Sequence, residues 1–188
     1  MIVERLAELG YRYEPMRLKG GSNNQYDNAT RVGDLVFTAG QGPILHDVWI
    51  TGKVGPGADV DIETAQEAAA LTAFNCLCAV GAVADIESVQ RVLKVTGLVN
   101  VADGFSDAPS VMDGCSNFLN KVFGENNGHA RSATGTEVAF NLAVEIEMVV
   151  ALAPSRSQRL VPSGRRSIER WRTVVRIRRP DGGLYARV

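Results

Sequence analysis

The residues best suited to chemistry lie near the end of the chain's apolar part. In Val144-Glu145-Ile146-Glu147-Met148-Val149-Val150, the acids Glu145 and Glu147 alternate with Val144, Ile146, Met148 and Val150. A period of two puts the acids on one face of a strand and the apolar residues on the other. A solvated strand surface would account for them without any function. The sharper reading is a carboxylate at a pocket or subunit boundary, where burial raises its pKa and suits it to exchange protons. Arg131 follows a polar loop and opens the stretch Arg131-Ser132-Ala133. A guanidinium at the head of a strand can hold a carboxylate by two parallel hydrogen bonds, although a weak surface ion pair is the plainer use. Gly40 ends the apolar run Leu35-Val36-Phe37-Thr38-Ala39. A glycine there lets a ligand reach backbone N–H and C=O groups, and simple turn chemistry is its plainer reading.

Other chemistries fail on inventory. The chain has no G-x-G-x-x-G opening a helix, no G-x-x-x-x-G-K-[ST] and no G-x-S-x-G, so neither nucleotide binding nor a nucleophile elbow is supported. Cys76, Cys78 and Cys115 are the only cysteines, and His46 and His129 the only histidines. On a helix Cys76 and Cys78 would point apart. No metal site is expected, and three cysteines in a chain with a charged N-terminus (MIVERLAELG) are expected to be reduced thiols in the cytoplasm.

The 188 residues, 45% hydrophobic and 22% charged, suit one domain and an extension. No apolar run approaches the ~20 residues of a membrane span. The net charge of −1 hides an asymmetry. Residues 154–188 hold ten arginines against Glu169 and Asp181, a balance of +8 that leaves −9 for residues 1–153. An acidic body is a poor nucleic-acid surface. The arginine-rich extension could bind phosphate and is expected to be poorly ordered, with an RNA- or membrane-surface contact as its functional reading.

These residues need elements to position them. A short helix is predicted over 2–9, then a polar loop over 15–30 and a buried strand over 35–39. A second strand is predicted over 46–51. The best helix runs from Asp61, a fair N-cap, to Val80, with Leu71, Phe74 and Cys78 at helical spacing. Residues 89–99 alternate as a strand, with Leu93, Val95 and Val99 on its apolar side. Pro109 opens a second helix with the stripe Val111, Cys115, Phe118 and Val122. Strands follow at 131–139 and 143–152. The order predicts an α+β sheet with helices on one face. Self-association would cover the other face.

The motifs also arrive in a familiar order. Leu35–Gln41 resembles a first-strand signature ending in Ser-Gly-Gln. Tyr26 precedes the Gly33-Asp34 turn, Gln66 and Asn75 sit in the first long helix, Ala130-Arg131-Ser132-Ala133 resembles an Ala-Arg-Ser hallmark, and Val144-Glu145-Ile146-Glu147 resembles a closing strand. Together they resemble the RidA/YjgF family, also labelled endoribonuclease L-PSP, over about residues 26–152. The resemblance implies a chorismate-mutase-like α+β fold with two helices on one face of the sheet. It further implies a homotrimer with three clefts between subunits. Arg131 would grip a substrate carboxylate and Glu145 would handle water or a proton. Gly40 and Ala133 would offer backbone contacts, and Tyr26 would line the cleft. The implied reaction turns 2-aminoacrylate or 2-iminobutyrate into 2-keto acids and ammonia without a cofactor. The resemblance thus pictures Arg131 on one strand facing Glu145 on the next, beside Gly40. Ala39 replaces a serine, and Asp113 falls near a position that is often asparagine. The other readings are a non-catalytic trimer that binds small keto acids, an endoribonuclease or translation inhibitor, and a chorismate mutase.

Overall fold

In the computed structural model the described residues are 1–154, apart from 22, 24 and 125–127, together with the backbone of 177–178 and 184–185. By its contacts the chain divides into residues Met1–Ser155 and Arg156–Val188. In the second unit Ile177–Arg178 pairs antiparallel with Leu184–Tyr185. The expected disorder of the extension falls mainly on residues outside those described.

The first unit is α+β. Helix α1 (Ile2–Glu8) opens it. Glu87 caps α1 by accepting hydrogen bonds from the N–H groups of Ile2 and Val3 at 2.8 and 2.9 Å, an acid at the positive end of the helix. Ile2 and Leu6 turn into the core, as their spacing predicts. The predicted polar loop over 15–30 instead holds β1 (Lys19–Gly20), β2 (Tyr26–Asp27) and the start of β3 (Ala29–Val32). These short, polar strands form through pairing, a signal that composition does not carry.

β4 (Leu35–Thr38) follows a turn at Gly33, whose φ of 60° suits glycine. The predicted strand over 46–51 is a small hairpin, β5 (Ile44–Leu45) and β6 (Val48–Trp49), because His46 adopts φ 53° and reverses the chain. Helix α2 (Ile62–Val80) starts where predicted, with the Asp61 carboxylate accepting from the Thr64 N–H. β7 (Val89–Asn100) carries an irregularity between Val92 and Lys94. That shift buries Val92 and leaves Leu93, predicted inward, exposed. Helix α3 (Ala108–Phe123) buries Val111, Cys115, Phe118 and Val122 as predicted. β8 (Ala130–Thr136) and β9 (Val144–Leu152) complete the unit.

The main sheet runs β3-β4-β9-β7-β8 and is mixed: β7 and β8 are parallel, the other neighbours antiparallel. A parallel neighbour needs a crossover, and α3 connects β7 to β8 while α2 connects β4 to β7. Both helices therefore pack on one face. Val36, Val95, Val144, Ile146, Met148 and Val150 meet them there and are fully or almost fully buried. The helices touch each other so closely that a Cβ on Gly114 of α3 would overlap the main-chain carbonyl of Gln66 on α2. Nearby, Gln66 Nε2 donates to the Ser110 carbonyl at 2.8 Å. The opposite face presents Phe37, Lys94, Thr96, Leu98, Glu145, Glu147 and Val149, which are exposed or half-buried. Among the described residues no helix is long and apolar enough to cross a membrane.

Candidate functional site

Glu145 sits where the sheet ladder is interrupted. β4 and β9 pair at Phe37 and Val149, and pairing resumes at Gln41 and Ile146. Between those points residues 38–40 oppose residues 147–148, one more than the ladder can use. Thr38 fills part of the gap by accepting the Met148 N–H on its Oγ1 at 2.9 Å. The extra residue throws Gly40 out of the ladder and directs it at Glu145. A Cβ on Gly40 would overlap Oε1 of Glu145. The bare α-carbon thus makes room for the carboxylate.

The segment after Gly40 is fastened from below. Asn75, buried on α2, donates through Nδ2 to the carbonyls of Gly42 at 2.9 Å and Ile44 at 2.8 Å. The bond to Gly42 is buried and the bond to Ile44 partly buried, and the Gly42 carbonyl also accepts the Ile44 N–H at 2.9 Å. Tyr26 approaches from β2, its ring lying over Gly20 and Gly21. Tyr26, Gly40 and Glu145 line one cavity of about 320 Å³. Burial, and then the charge of Glu147, raise the Glu145 pKa above its usual value. Burial disfavours the charged carboxylate, and a like charge nearby adds to the effect.

Arg131 lies elsewhere. β8 is not next to β9 as a reading of consecutive strands suggests; β7 lies between them. Arg131 pairs with Val95, which pairs with Met148 on the helix face, whereas Glu145 pairs with Leu98 on the opposite face. Within one chain, then, Arg131 and Ala133 open on one side of the sheet and Glu145 on the other.

The guanidinium has its own cradle. Arg131 Nη1 donates to Asp113 Oδ1 at 2.8 Å and to Ser116 Oγ at 3.0 Å, and Nη2 donates to the Pro109 carbonyl at 3.3 Å. Ser116 Oγ is also 3.1 Å from His129 Nε2. Burial, then the Arg131 charge, lower the His129 pKa, which keeps the ring neutral near pH 7. Among the described residues no hydrogen bond engages Arg131 Nε. Spacing gave no sign of this cradle, because Asp113 and Ser116 come from α3 and His129 from the loop before β8.

The cysteines are not reactive. Burial pushes the Cys115 thiol up to about 12 and the Cys78 thiol up to about 11, so neither is a thiolate near neutrality. Among the described residues no group of three or more His, Cys, Asp or Glu side chains could hold a metal ion.

Residues 14–150 match the model of the family described as "YjgF/chorismate_mutase-like, putative endoribonuclease". The chain belongs to this YjgF family. A solved structure, the protein Atu1372 of unknown function from Agrobacterium tumefaciens, is 35% identical; the match covers 80% of this chain and 92% of that one, with a TM-score of 0.70. A Shewanella oneidensis MR-1 structure, described as a putative endoribonuclease, superposes with a TM-score of 0.71 over 81% of this chain and 99% of that one, at 22% identity. That likeness shows the YjgF fold alone. Protein TCP17 of Trypanosoma cruzi is 34% identical over 106 residues, 55% of this chain and 65% of the relative. The chain therefore spans somewhat less than two thirds of that curated protein.

Proposed function

We propose that this YjgF-family chain hydrolyses reactive 2-imino and 2-enamino acids, 2-aminoacrylate and 2-iminobutyrate among them, to 2-keto acids and ammonia. An imine carbon is already electrophilic, so catalysis needs positioning, one water and movement of protons. Glu145 takes a proton from water as its oxygen bonds to the C=N carbon. The C=N π electrons move to nitrogen, which is protonated. The carbinolamine's hydroxyl proton passes by way of Glu145 to its amino nitrogen, the C–N bond breaks with its electrons going to that nitrogen, and ammonia leaves as the keto group forms. An enamine is first protonated at its terminal carbon to give the imine.

The observation that carries this reading is the half-buried Glu145 carboxylate against Gly40, with its pKa raised above the usual carboxylate value. Arg131 would hold the substrate carboxylate and Tyr26 would line the cleft. Because Arg131 and Glu145 open on opposite faces of one chain, the reading requires a cleft shared by copies, with Arg131 from one and Glu145 from its neighbour. A homotrimer supplies three such clefts. No cofactor enters the scheme.

The test is a coupled assay in which an amino-acid oxidase generates 2-iminobutyrate and its loss is followed. Acceleration by the wild-type chain that Arg131→Ala abolishes is the expected result. An unchanged rate with wild-type protein would sink the proposal. Keto-acid binding by calorimetry without turnover would favour a regulatory trimer instead. Endoribonuclease action, the description attached to the Shewanella relative, is disfavoured by the −9 charge of residues 1–153.

A further inference from the structure

Apart from Tyr26, the cavity beside Glu145 has walls to which the hydrolysis scheme gives no role. In a chain only 6% aromatic, Tyr26, Trp49 and Phe140 line it from three separate segments, together with the apolar Ile44 and Leu142 and the polar Asn28 and Gln41. Trp49 meets Phe140 edge-on, with ring centroids 6.2 Å apart at 87°. These rings do not belong to the core. Phe140 is 79% exposed, Tyr26 51% and Trp49 48%. Leaving a phenyl ring in water forgoes the ~1.5–3 kcal/mol that its full burial would contribute.

The backbone that presents Phe140 is strained. Phe140 and Asn141 adopt φ of 56° and 55°, a left-handed pair without glycine. Such positions cost ~1–3 kcal/mol each and persist where surrounding structure over-determines them. Here it does. The Gly52 N–H donates to the Asn141 carbonyl at 2.7 Å. The buried Asn100 donates through Nδ2 to Asn141 Oδ1 at 2.9 Å. Trp49 is likewise carried by a hairpin that turns at left-handed His46. Two strained turns therefore hold aromatic rings outward at the rim of the cavity that contains the candidate base.

We propose that this cavity receives the substrate's side chain, and that the preferred substrates are 2-imino acids bearing a large apolar or aromatic side chain. The proposal rests on the deaminase reading and selects within it. At about 320 Å³ the cavity far exceeds the need of a methyl or ethyl group, since a ~150 Å³ cavity holds a benzene ring. Ring edges and faces complement an aromatic side chain through offset or edge-to-face contacts. A cationic side chain could also stack on the three rings. It would need the one acid of the cavity as its counter-ion, and that acid is already committed to proton transfer.

The full-length protein is tested in two ways. Calorimetry compares phenylpyruvate with 2-oxobutyrate, and the coupled assay compares the imines of phenylalanine, methionine and 2-aminobutyrate. Phenylpyruvate should bind about tenfold more tightly, a difference of about 1.4 kcal/mol. The phenylalanine-derived imine should show a kcat/KM about tenfold above the smallest imine. Phe140→Ala and Trp49→Ala, both at exposed positions, should collapse both ratios. Equal affinities, a preference for the small imine, or tighter binding of 5-guanidino-2-oxopentanoate would overturn the proposal. So would variants that change oligomer size by light scattering and leave the ratios intact, since the rings would then serve contact between copies. Selective phenylpyruvate binding with no imine hydrolysis at all would overturn the deaminase reading and leave this cavity's selectivity standing.

Discussion

The Glu145 carboxylate occupies the space where a side chain on Gly40 would begin. This contact, made across the bulge between β4 and β9, joins the backbone loop and the acid into one unit.

Gly40→Ala should therefore displace Glu145 without unfolding the chain. An added methyl in a filled site costs ~1–3 kcal/mol. Imine hydrolysis should fall on the order of 100-fold, the usual worth of a positioned base, while the far-ultraviolet circular dichroism stays unchanged. Near-normal activity of the alanine variant would show that Glu145 does not act from this position.

The raised pKa of Glu145 has a definite sign for stability. The folded chain holds this proton more tightly than the unfolded chain, so stability from the group is present below the ordinary value of 4.5 and is lost as pH rises through the folded value. Glu145→Gln should consequently raise Tm at pH 7, and the gain should disappear by about pH 4. The hydrolysis rate of wild type should rise with pH through the same folded value if Glu145 acts as base. Thermal melts of both proteins from pH 4 to 8 decide the first point; a pH-independent difference would contradict it.

Asp113 holds Nη1 of Arg131 at 2.8 Å while half exposed. Its carboxylate offsets the charge that a substrate carboxylate would seek. Asp113→Asn should tighten keto-acid binding about threefold to tenfold by calorimetry and change stability by less than about 1 kcal/mol, as expected of an exposed pair. Weaker binding would show that Asp113 is needed to hold Arg131 in place.

A shared cleft predicts complementation. The Arg131→Ala and Glu145→Gln variants should each be inactive. Unfolded together and refolded, the mixture should recover about a quarter of wild-type activity, because random mixing pairs an intact arginine with an intact glutamate in that share of clefts. No recovery would place both residues' roles within one chain or deny the cleft.

Gly114 tests the fold rather than the site. A side chain there would strike the Gln66 main chain, which cannot move without moving α2. Gly114→Ala should lower stability by about 1–3 kcal/mol in urea unfolding.

Much of this was legible locally. The alternation of Glu145 and Glu147 with Val144, Ile146 and Met148 set the two faces of β9, and Asp61 and Pro109 marked where α2 and α3 begin. Caps and periodicity act between residues a few positions apart, so the chain states them outright. Leu93 was misread because a register shift in β7 flips the faces beyond it.

The sequence by itself thus determined the long helices and main strands and most of their buried faces, and it singled out Gly40, Arg131 and Glu145 from residue patterns and Tyr26 and Ala133 through the family resemblance. Only the tertiary structure decided that β7 separates β8 from β9, that Arg131 and Glu145 face opposite ways, that α3 cradles the guanidinium, and that Tyr26, Trp49 and Phe140 meet. Strand order and the meeting of distant side chains come from burying one shared core, to which every segment contributes at once, and no short stretch of residues carries that information.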